Sequence, residues 1–300
     1  MTLQELRYLV ALVDHGHFGR AADACHISQP TLSTQIKKLE DQLGVTLFER
    51  TNKSVHVTAA GEEIVARARQ MLADAEAILE AGRRKAGPLA GVFSLGLIPT
   101  LGPYVLPWLV PALKDSYPKL RLIVHEDLTA HLLETLSAHR LDAALVALPI
   151  ADSGLEALPL FDEPFWFAAP RGHKLAKAKV VKEEDLRGQR LLLLTEGHCL
   201  RDQALAICGA TDAENGVEGD FRAASLETIR QMVATGMGIT LLPAMGLGDA
   251  RACGIAVRPL DGGIGRRIGL VWRRSYPKVR DLHLLAEALR DHLPRGVRRV

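Results

Sequence analysis

Two cysteines, Cys199 and Cys208, stand nine residues apart in a polar segment of the 300-residue chain. Cys199 follows His198 and precedes Arg201, so a nearby cation and the start of a helix can both favour its thiolate form. A thiolate attacks the O–O bond of a peroxide, which gives a sulfenic acid. The competing interpretation is that both cysteines are small buried apolar residues. The spacing CxxC is absent, which argues against a zinc site.

The spacing of the two cysteines limits how they could interact. If the segment between them is helical, their Cα atoms stand about 13.5 Å apart along the helix axis. A disulfide tolerates a Cα–Cα separation of roughly 7 Å at most. A bond between Cys199 and Cys208 would therefore require the segment to unwind. The other two cysteines, Cys25 and Cys253, are better explained as buried apolar residues.

The composition of the chain is that of a folded protein without a membrane span. Hydrophobic residues make up 48% and charged residues 24%, with a formal net charge of +2, which excludes a disordered or low-complexity chain. The amino terminus has no basic region followed by an apolar core, so we expect no secretion signal. The apolar stretch over residues 97–113 contains four prolines, which would break a membrane-spanning helix. We expect a cytoplasmic protein that makes no contact with a membrane.

Residues 1–58 show short helical patterns that end in a β-hairpin. Thr2 and Glu5 form a capping box that would start the first helix. Ser28 is a good N-cap for the third helix, Pro30 fits its first turn, and Gly44 would close it. The apolar positions of this third helix fall on one face: Leu32, Ile36, Leu39 and Leu43. We therefore expect the helix to pack on that face and to expose the other.

The outward face of the third helix is small, polar and cationic, which suits a helix that enters the major groove of DNA. Arg50 and Lys53 of the hairpin could reach phosphates or the adjacent minor groove. The alternative interpretation is a solvated helix face. Net charge does not decide between the two interpretations, because residues 1–60 contain six basic and six acidic residues. The candidate DNA-binding residues are Gln29, Pro30, Thr31, Ser33, Thr34, Lys37, Arg50 and Lys53.

Residues 59–86 form one long stretch without proline that has the apolar spacing of a coiled coil. Intervals of four and three residues form a seam of Ile64, Ala68, Met71, Ala75 and Ile78. A second line repeats at intervals of seven: Val65, Leu72 and Leu79. A helix of roughly 42 Å would have little of its own chain to lie against. We therefore predict that it forms a dimer rather than packing on its own domain.

Two regions of the chain resemble LysR-type transcriptional regulators. The segment AADACHISQPTLSTQIKKLEDQLGVTLFERTNKSVHVTAAG resembles their winged helix-turn-helix head. After a breaker cluster at residues 87–91, strand-like runs alternate with helical segments, which is the pattern of an α/β fold. This second region resembles the regulatory part of the same family. That part has the fold of periplasmic solute-binding proteins, in which crossing hinge strands join two α/β subdomains.

The resemblance implies a division of the chain into three parts. Residues 1–58 would be the winged helix-turn-helix head, residues 59–86 the linker and dimerisation helix, and residues 87–300 the α/β regulatory domain. The subdomains of the regulatory domain are then expected as follows: subdomain I at about 91–162 and 267–300, and subdomain II at about 163–266.

Residues 196–208 and 97–104 resemble the hydrogen-peroxide-sensing members of the family. The resemblance implies that Cys199 reacts with hydrogen peroxide and pairs reversibly with Cys208. It also implies a peroxide pocket lined by Thr100, Thr129, His198 and Arg266. Hydroxyls and an imidazole can orient the peroxide oxygens, and a guanidinium stabilises a thiolate. The alternatives are that both threonines cap helices and that the arginine is a surface cation.

These features predict a DNA-binding regulator that switches oxidative-stress genes. It would not be an enzyme, because its reduction requires an external thiol system. The implied partners are promoter DNA, hydrogen peroxide, further copies of the chain in a dimer and then a tetramer, RNA polymerase and a thiol reductant, and no cofactor or metal is expected. Two alternatives remain open. The chain could bind a small inducer between its subdomains, with its cysteines incidental, or it could be a thiol peroxidase that consumes peroxide catalytically.

Overall fold

The computed structural model describes residues 1–50, 55–82, 87–189, 191–209, 223–248, 253–294 and 296–300. The chain divides into two compact units, Met1–Ala86 and Gly87–Val300. Within the described ranges, no helix combines the length and the apolar character that a membrane crossing requires.

The amino-terminal unit contains α1 (Leu3–His15), α2 (Phe18–Ala24), α3 (Gln29–Leu43), β1 (Phe48–Arg50), β2 (Val55–Val57) and α4 (Ala59–Gly82). The capping predictions are confirmed. The Thr2 hydroxyl accepts from the backbone N–H of Glu5, and the Glu5 carboxylate accepts from the N–H of Thr2. Ser28 caps α3, and Gly44 ends it in the left-handed conformation. These short-range signals fix where α1 and α3 begin and where α3 ends.

The core of the amino-terminal unit lies between α1, α2 and α3, and the first half of α4 joins it. Val65 and Ala68 of α4 are buried in this core. Further along the helix, Met71 is 45% exposed and Ile78 is 73% exposed. The expectation that α4 has little of its own chain to lie against is therefore wrong for its first half. The side chain of Leu79 and residues 83–86 lie outside the described part of the chain.

The second unit is a mixed α/β domain, which confirms the predicted fold class. Its strands are β3 (Gly91–Leu97), β4 (Leu120–Glu126), β5 (Ala143–Leu148), β6 (Leu155–Pro170), β7 (Thr240–Pro243), β8 (Ile255–Pro259), β9 (Gly265–Arg273) and β10 (Arg298–Arg299). Its α-helices are α5 (Gly102–Ser116), α6 (Thr129–Ser137), α7 (Glu183–Leu186), α8 (Cys199–Cys208), α9 (Leu226–Ala234) and α10 (Val279–Asp291). Short 3-10 helices cover Lys174–Lys177, Ala244–Leu247 and Asp261–Gly263.

Two long strands, β6 and β9, connect the halves of this unit. The main sheet has the order β10-β6-β9-β5-β3-β4. In it, β3 is parallel to β4 and β5, whereas β9 is antiparallel to β5 and β6. Strand β6 pairs with β9 as far as Pro164 and with β7 from Phe165 onward. The change of partner falls beside residue 163, where the resemblance to LysR-type regulators implies that subdomain II begins.

Each half of the second unit has its own hydrophobic core. Leu95 and Leu270 belong to the core of subdomain I, and Ile229 belongs to the core of subdomain II. Strand β6 contributes to both, since Phe161 packs into the first core and Phe167 into the second. The region between the subdomains is therefore built on β6 and β9.

Candidate redox site and DNA-binding face

Helix α8 runs without interruption from Cys199 to Cys208, so the two cysteines lie at its opposite ends. Both are free thiols. Nine residue steps place their Cα atoms about 13.5 Å apart, well beyond the roughly 7 Å that a disulfide can span. The segment between the two cysteines is helical, as the argument from the sequence required. A bond between these cysteines therefore requires α8 to unwind.

Two sets of contacts hold α8 in subdomain II. Leu200, Ala204 and Cys208 recur every four residues and are buried in its core. The Arg201 side chain is buried as well, and its Nη1 donates to the Leu194 carbonyl at 2.9 Å. These contacts stabilise the folded helix, so any reaction that unwinds α8 has to overcome them.

Cys199 lies between the two subdomains. It is the first residue of α8, is half-buried, and packs against the core of subdomain I. The loop before it comes so close to the start of α6 that a Cβ on Gly197 would lie 2.8 Å from Leu128 Cδ1. Gly197 also has a φ of +89°, a conformation that favours glycine. A glycine is therefore required where the loop before Cys199 meets α6.

Arg266 and Thr100 form a buried hydrogen-bonded pair. The Nη1 of Arg266 donates to Thr100 Oγ1 at 2.7 Å, and its Nη2 donates to the Thr100 carbonyl at 3.0 Å. Its Nε donates to Glu163 Oε2 at 2.8 Å, and neither charged side chain is exposed. This arrangement excludes the interpretation of Arg266 as a surface cation. The neighbouring Arg267 fits that description, because its side chain is 49% exposed and pairs with Asp162.

Neither of the two predicted pocket threonines caps a helix. The N-cap residues of α5 and α6 are Leu101 and Leu128, and neither cap involves a side-chain hydrogen bond. Thr100 Oγ1 accepts from Arg266 instead. Thr129 Oγ1 is buried and, within the described part of the chain, has no hydrogen-bond partner. A buried hydroxyl without a partner costs free energy, so it calls for an explanation such as a ligand.

His198 precedes Cys199 and is 7% exposed. Burial lowers the pKa of its imidazole, so the ring is neutral at neutral pH. A neutral ring can donate one hydrogen bond and accept another, which allows it to orient a peroxide. Arg266 is a buried cation, and the buried carboxylate of Glu163 balances its charge.

Cys208 is a protonated thiol at neutral pH. Its burial in subdomain II raises the pKa of the thiol to about 11, and the negative charge of Glu183 adds to this effect. Cys208 is therefore a poor first nucleophile. It becomes reactive once α8 unwinds and the thiol is solvated.

The burial of Cys208 has a measurable pH dependence. In a Cys199→Ser variant, we expect the alkylation rate of Cys208 to rise about tenfold per pH unit between pH 7 and pH 10, because the thiolate fraction of a group with a pKa of about 11 rises in this way. In urea the rate should reach half of its maximum at about pH 8.5, which is the ordinary pKa of a solvated thiol. Mass spectrometry after iodoacetamide treatment measures both rates. A rate that is already half-maximal below about pH 9 in the folded protein would show that this thiol is not buried.

The outward face of α3 is accessible. Lys37 is exposed on it, whereas Lys38 pairs with Glu5 at 3.3 Å. Among the described residues Lys37 has no ion-pair partner, so it can meet a phosphate there without breaking an ion pair. Lys53 and the side chain of Arg50 lie outside the described residues. None of the remaining candidates is fully buried. Four of them are exposed, namely Gln29, Pro30, Thr31 and Thr34, and Ser33 is half-buried.

Comparisons with known proteins agree with the two-part organisation. Residues 3–62 match the family described as bacterial regulatory helix-turn-helix protein, lysR family, and residues 86–294 match the LysR substrate binding domain. The chain belongs to the LysR family. It is 45% identical, over 98% of its length and 96% of the relative, to the DNA-binding transcriptional dual regulator OxyR of Escherichia coli (strain K12). The resemblance inferred from the motifs is confirmed.

Solved structures of OxyR proteins are similar to this chain over almost its whole length. A full-length OxyR mutant from Pseudomonas aeruginosa has a TM-score of 0.82 and 42% identity, with 97% of this chain and 98% of that chain covered. A hydrogen-peroxide-bound OxyR mutant from Corynebacterium glutamicum has a TM-score of 0.67 and 36% identity, with 97% of this chain and 92% of that chain covered.

Two residues of this LysR-family site were not predicted from the sequence. Glu163 binds Arg266 and also accepts from the N–H of Met245 at 2.8 Å. Two adjacent acidic residues, Asp162 and Glu163, in a segment otherwise formed by aromatic residues and proline were the available signal for it. Gln203 lines a cavity of about 920 Å³ together with Glu163 and Arg266. Its position four residues after Cys199 was the signal, since that spacing puts both on one face of a helix.

In the part of the chain that the structure describes, no three His, Cys, Asp or Glu side chains are grouped so that they could hold a metal ion.

Proposed function

We propose that this chain is a DNA-binding transcriptional regulator that senses hydrogen peroxide. Cys199 is oxidised, a reversible Cys199–Cys208 disulfide forms, and the expression of oxidative-stress genes changes. The observation that carries this proposal is the position of the two thiols at opposite ends of the folded helix α8. Support also comes from relatives named hydrogen peroxide-inducible genes activator, which are up to 45% identical over 98% of this chain.

The chemistry is a two-electron oxidation in two steps. The Cys199 thiolate attacks one oxygen of HOOH, so that an S–O bond forms, the O–O bond breaks, and hydroxide leaves and takes up a proton to become water. The resulting sulfenic acid is then attacked by the Cys208 sulfur, which gives the disulfide and a second water. Thr100 can donate its hydroxyl hydrogen to the leaving oxygen, because its oxygen already accepts from Arg266.

The second step couples the chemistry to the fold. Because α8 holds the two Cα atoms about 13.5 Å apart, the disulfide forms only when the helix is lost. The buried contacts of Leu200, Ala204 and Arg201 are lost with it. Oxidation therefore remodels subdomain II, and reversal requires an external thiol that reduces the disulfide. The chain acts as a switch that is oxidised by a signal and later reduced, rather than as a peroxidase with continuous turnover.

The amino-terminal unit supplies the DNA contacts and part of the self-association. In α3 the predicted outward residues are available to enter a major groove. In α4 the exposed Met71 and Ile78 continue the coiled-coil seam beyond the part that packs on its own chain. A second copy would cover them and place two α3 helices on two half-sites. The proposed function also includes the assembly of two dimers into a tetramer and a contact between the regulator and RNA polymerase.

Lys37 gives a direct test of the DNA-binding face. We expect Lys37→Ala to weaken binding to all promoter sequences similarly and to reduce the slope of log affinity against log salt by about one. Lys38→Ala is the matched control, because this lysine is held by Glu5, and its slope should be unchanged. Fluorescence anisotropy of labelled promoter DNA at several salt concentrations measures both slopes. Equal slopes for the two variants would remove Lys37 from the interface.

Mapping the four cysteines after mild oxidation tests the proposed function. The protein receives less than one equivalent of hydrogen peroxide, its free thiols are alkylated, and the disulfides are located by mass spectrometry. We expect loss of free thiol at Cys199 and Cys208 only, with Cys25 and Cys253 as internal references. An inducer-binding regulator with incidental cysteines would show no such selectivity. Steady consumption of excess peroxide in the presence of a thiol reductant would instead favour a peroxidase.

A further inference from the structure

Five basic residues and no acidic residue lie between positions 171 and 182, on the surface of subdomain II. All five are exposed, and we call them the basic ridge: Arg171, Lys174, Lys177, Lys179 and Lys182. The whole chain has a formal net charge of only +2, so this concentration of positive charge is a local feature. Lys174, Lys177 and Lys179 form no ion pair with another described residue, which includes the acidic first turn of α7 that follows them.

The first part of the basic ridge is held by its buried side. Lys174 and Lys177 belong to a 3-10 helix, and three residues per turn put both on one face of it. Ala176, between them, is buried. His173 caps this helix, and its ring lies 5.8 Å from that of Phe167. The two lysines therefore stand on a backbone that is fixed at its start and on its inner face.

The second part of the basic ridge is tied to β8. The Nε of the half-buried Arg258 donates to the Ala178 carbonyl at 2.7 Å. Val181 is buried, and its N–H donates to the Pro259 carbonyl at 3.0 Å. These two bonds hold the backbone on both sides of Lys179. The cations are therefore carried by an ordered segment, which limits how far they can move apart.

Fixed cations without an acidic partner favour an anion from outside the chain. Like charges held close together repel each other, and an anionic ligand would relieve that repulsion and form charge-assisted hydrogen bonds. A rise of about 2 Å per residue puts the Cα atoms of Lys174 and Lys177 about 6 Å apart along the 3-10 helix. Each strand of DNA carries one phosphate per about 3.4 Å of its axis. The basic ridge therefore suits an extended polyanion, whose charges can meet separate lysines.

DNA is the polyanion that the amino-terminal unit is built to bind, since residues 3–62 match the helix-turn-helix family. Once that unit holds a promoter, the flanking DNA is linked to subdomain II through the same chain, so weak contacts act at a high effective concentration. We infer that the basic ridge is a second phosphate-binding surface, which contacts the backbone of the DNA beside the half-sites. The inference rests on the DNA-binding part of the proposed function and not on peroxide sensing.

Phosphate contacts fix the position of DNA and carry no sequence information directly. The basic ridge therefore adds affinity and guides the path of the flanking DNA, while α3 reads the sequence. Its contribution should depend on the presence of flanking DNA and on salt, because each phosphate contact releases counterions.

The experiment removes three charges from the basic ridge of the full-length reduced protein. Lys174→Gln/Lys177→Gln/Lys179→Gln is compared with the wild type on two labelled duplexes from one target promoter, a short one trimmed to the half-sites and a long one with flanking DNA. Fluorescence anisotropy at several salt concentrations gives the affinities. On the long duplex we expect the slope of log affinity against log salt to fall by about 2–3, and the affinity in about 0.1 M salt to fall about tenfold. On the short duplex the affinity should change less than about twofold.

Two control variants separate this contact from folding and from net charge. Arginine at the same three positions keeps the charges and should keep the wild-type slope. Lys114→Gln/Lys119→Gln/Arg280→Gln removes three exposed cations from subdomain I instead, and it should leave both slopes unchanged.

Three results would overturn the inference. The first is an equal slope on the long duplex for the two glutamine variants, and the second is an equal loss of affinity on both duplexes. The third is a basic-ridge variant that binds both duplexes like the wild type but no longer supports transcription, which would assign the basic ridge to an acidic protein surface. If the wild type binds neither duplex, the DNA-binding part of the proposed function is wrong, and this inference with it.

Discussion

Replacing Cys199 by serine is expected to abolish peroxide-dependent transcription and to slow the loss of protein thiols to hydrogen peroxide by at least about a thousandfold. A serine hydroxyl is a far weaker nucleophile than a thiolate at neutral pH. Cys208 cannot take over, because a thiol with a pKa of about 11 is a thiolate in only about one molecule in 10⁴ at pH 7. Burial also raises the pKa of Cys25.

The matched control for this variant is Cys253→Ser. Cys253 is half-buried, and its sulfur lies 3.9 Å from Arg230 Nη2, outside the site proposed to react. The control should keep both the thiol kinetics and the response at a target promoter. Timed alkylation measures the first quantity, and transcription from that promoter with and without peroxide measures the second. If the Cys199→Ser protein still responds to peroxide, or if the Cys253→Ser protein does not, the assignment of Cys199 as the sensing thiol is wrong.

The second large effect is expected on stability. Arg266→Met should lower the free energy of unfolding by about 3–5 kcal/mol, because it leaves the Glu163 carboxylate buried without its cation. Arg267→Met should cost less than about 1 kcal/mol, because its ion pair with Asp162 is exposed on the arginine side. Urea unfolding followed by circular dichroism measures both values.

A double variant shows whether the buried charge causes this loss. In Glu163→Met/Arg266→Met both charged groups are replaced by apolar ones, so much of the stability should return. Equal stabilities of Arg266→Met and Arg267→Met would contradict the buried ion pair. A double variant no more stable than Arg266→Met would instead assign the loss to the hydrogen bonds that Arg266 makes with Thr100.

The features that were predictable from the sequence depend on residues close together in the chain. Thr2 with Glu5, Ser28 in front of α3 and Gly44 after it act within three or four residues, so their types reveal their roles. The separation of Cys199 and Cys208 followed in the same way, since helix geometry alone sets it. The residue types around Cys199 supplied the redox chemistry.

The features that could not be predicted from the sequence depend on contacts between distant parts of the chain. Arg266 meets Glu163 across 103 residues and Thr100 across 166. The contact with Glu163 exists because β6 and β9 pair in one register. The contact with Thr100 depends on the pairing of both β3 and β9 with β5, and no local sequence pattern determines either register. Similarly, apolar periodicity predicts a stripe of apolar residues on α4 but not the surface against which this stripe packs. The stripe is divided, because Val65 lies in the core of the amino-terminal unit whereas Ile78 is exposed.

The proposed switch requires α8 to be folded when the two thiols are reduced and unfolded when they form a disulfide. Amide hydrogen exchange at residues 203–208, whose N–H groups are held by helical hydrogen bonds, reports this directly. We expect strong protection in the reduced protein and exchange at least about a hundredfold faster after one equivalent of hydrogen peroxide. If these amides stay protected after the Cys199–Cys208 disulfide has formed, α8 does not unfold on oxidation and the proposed switch is wrong.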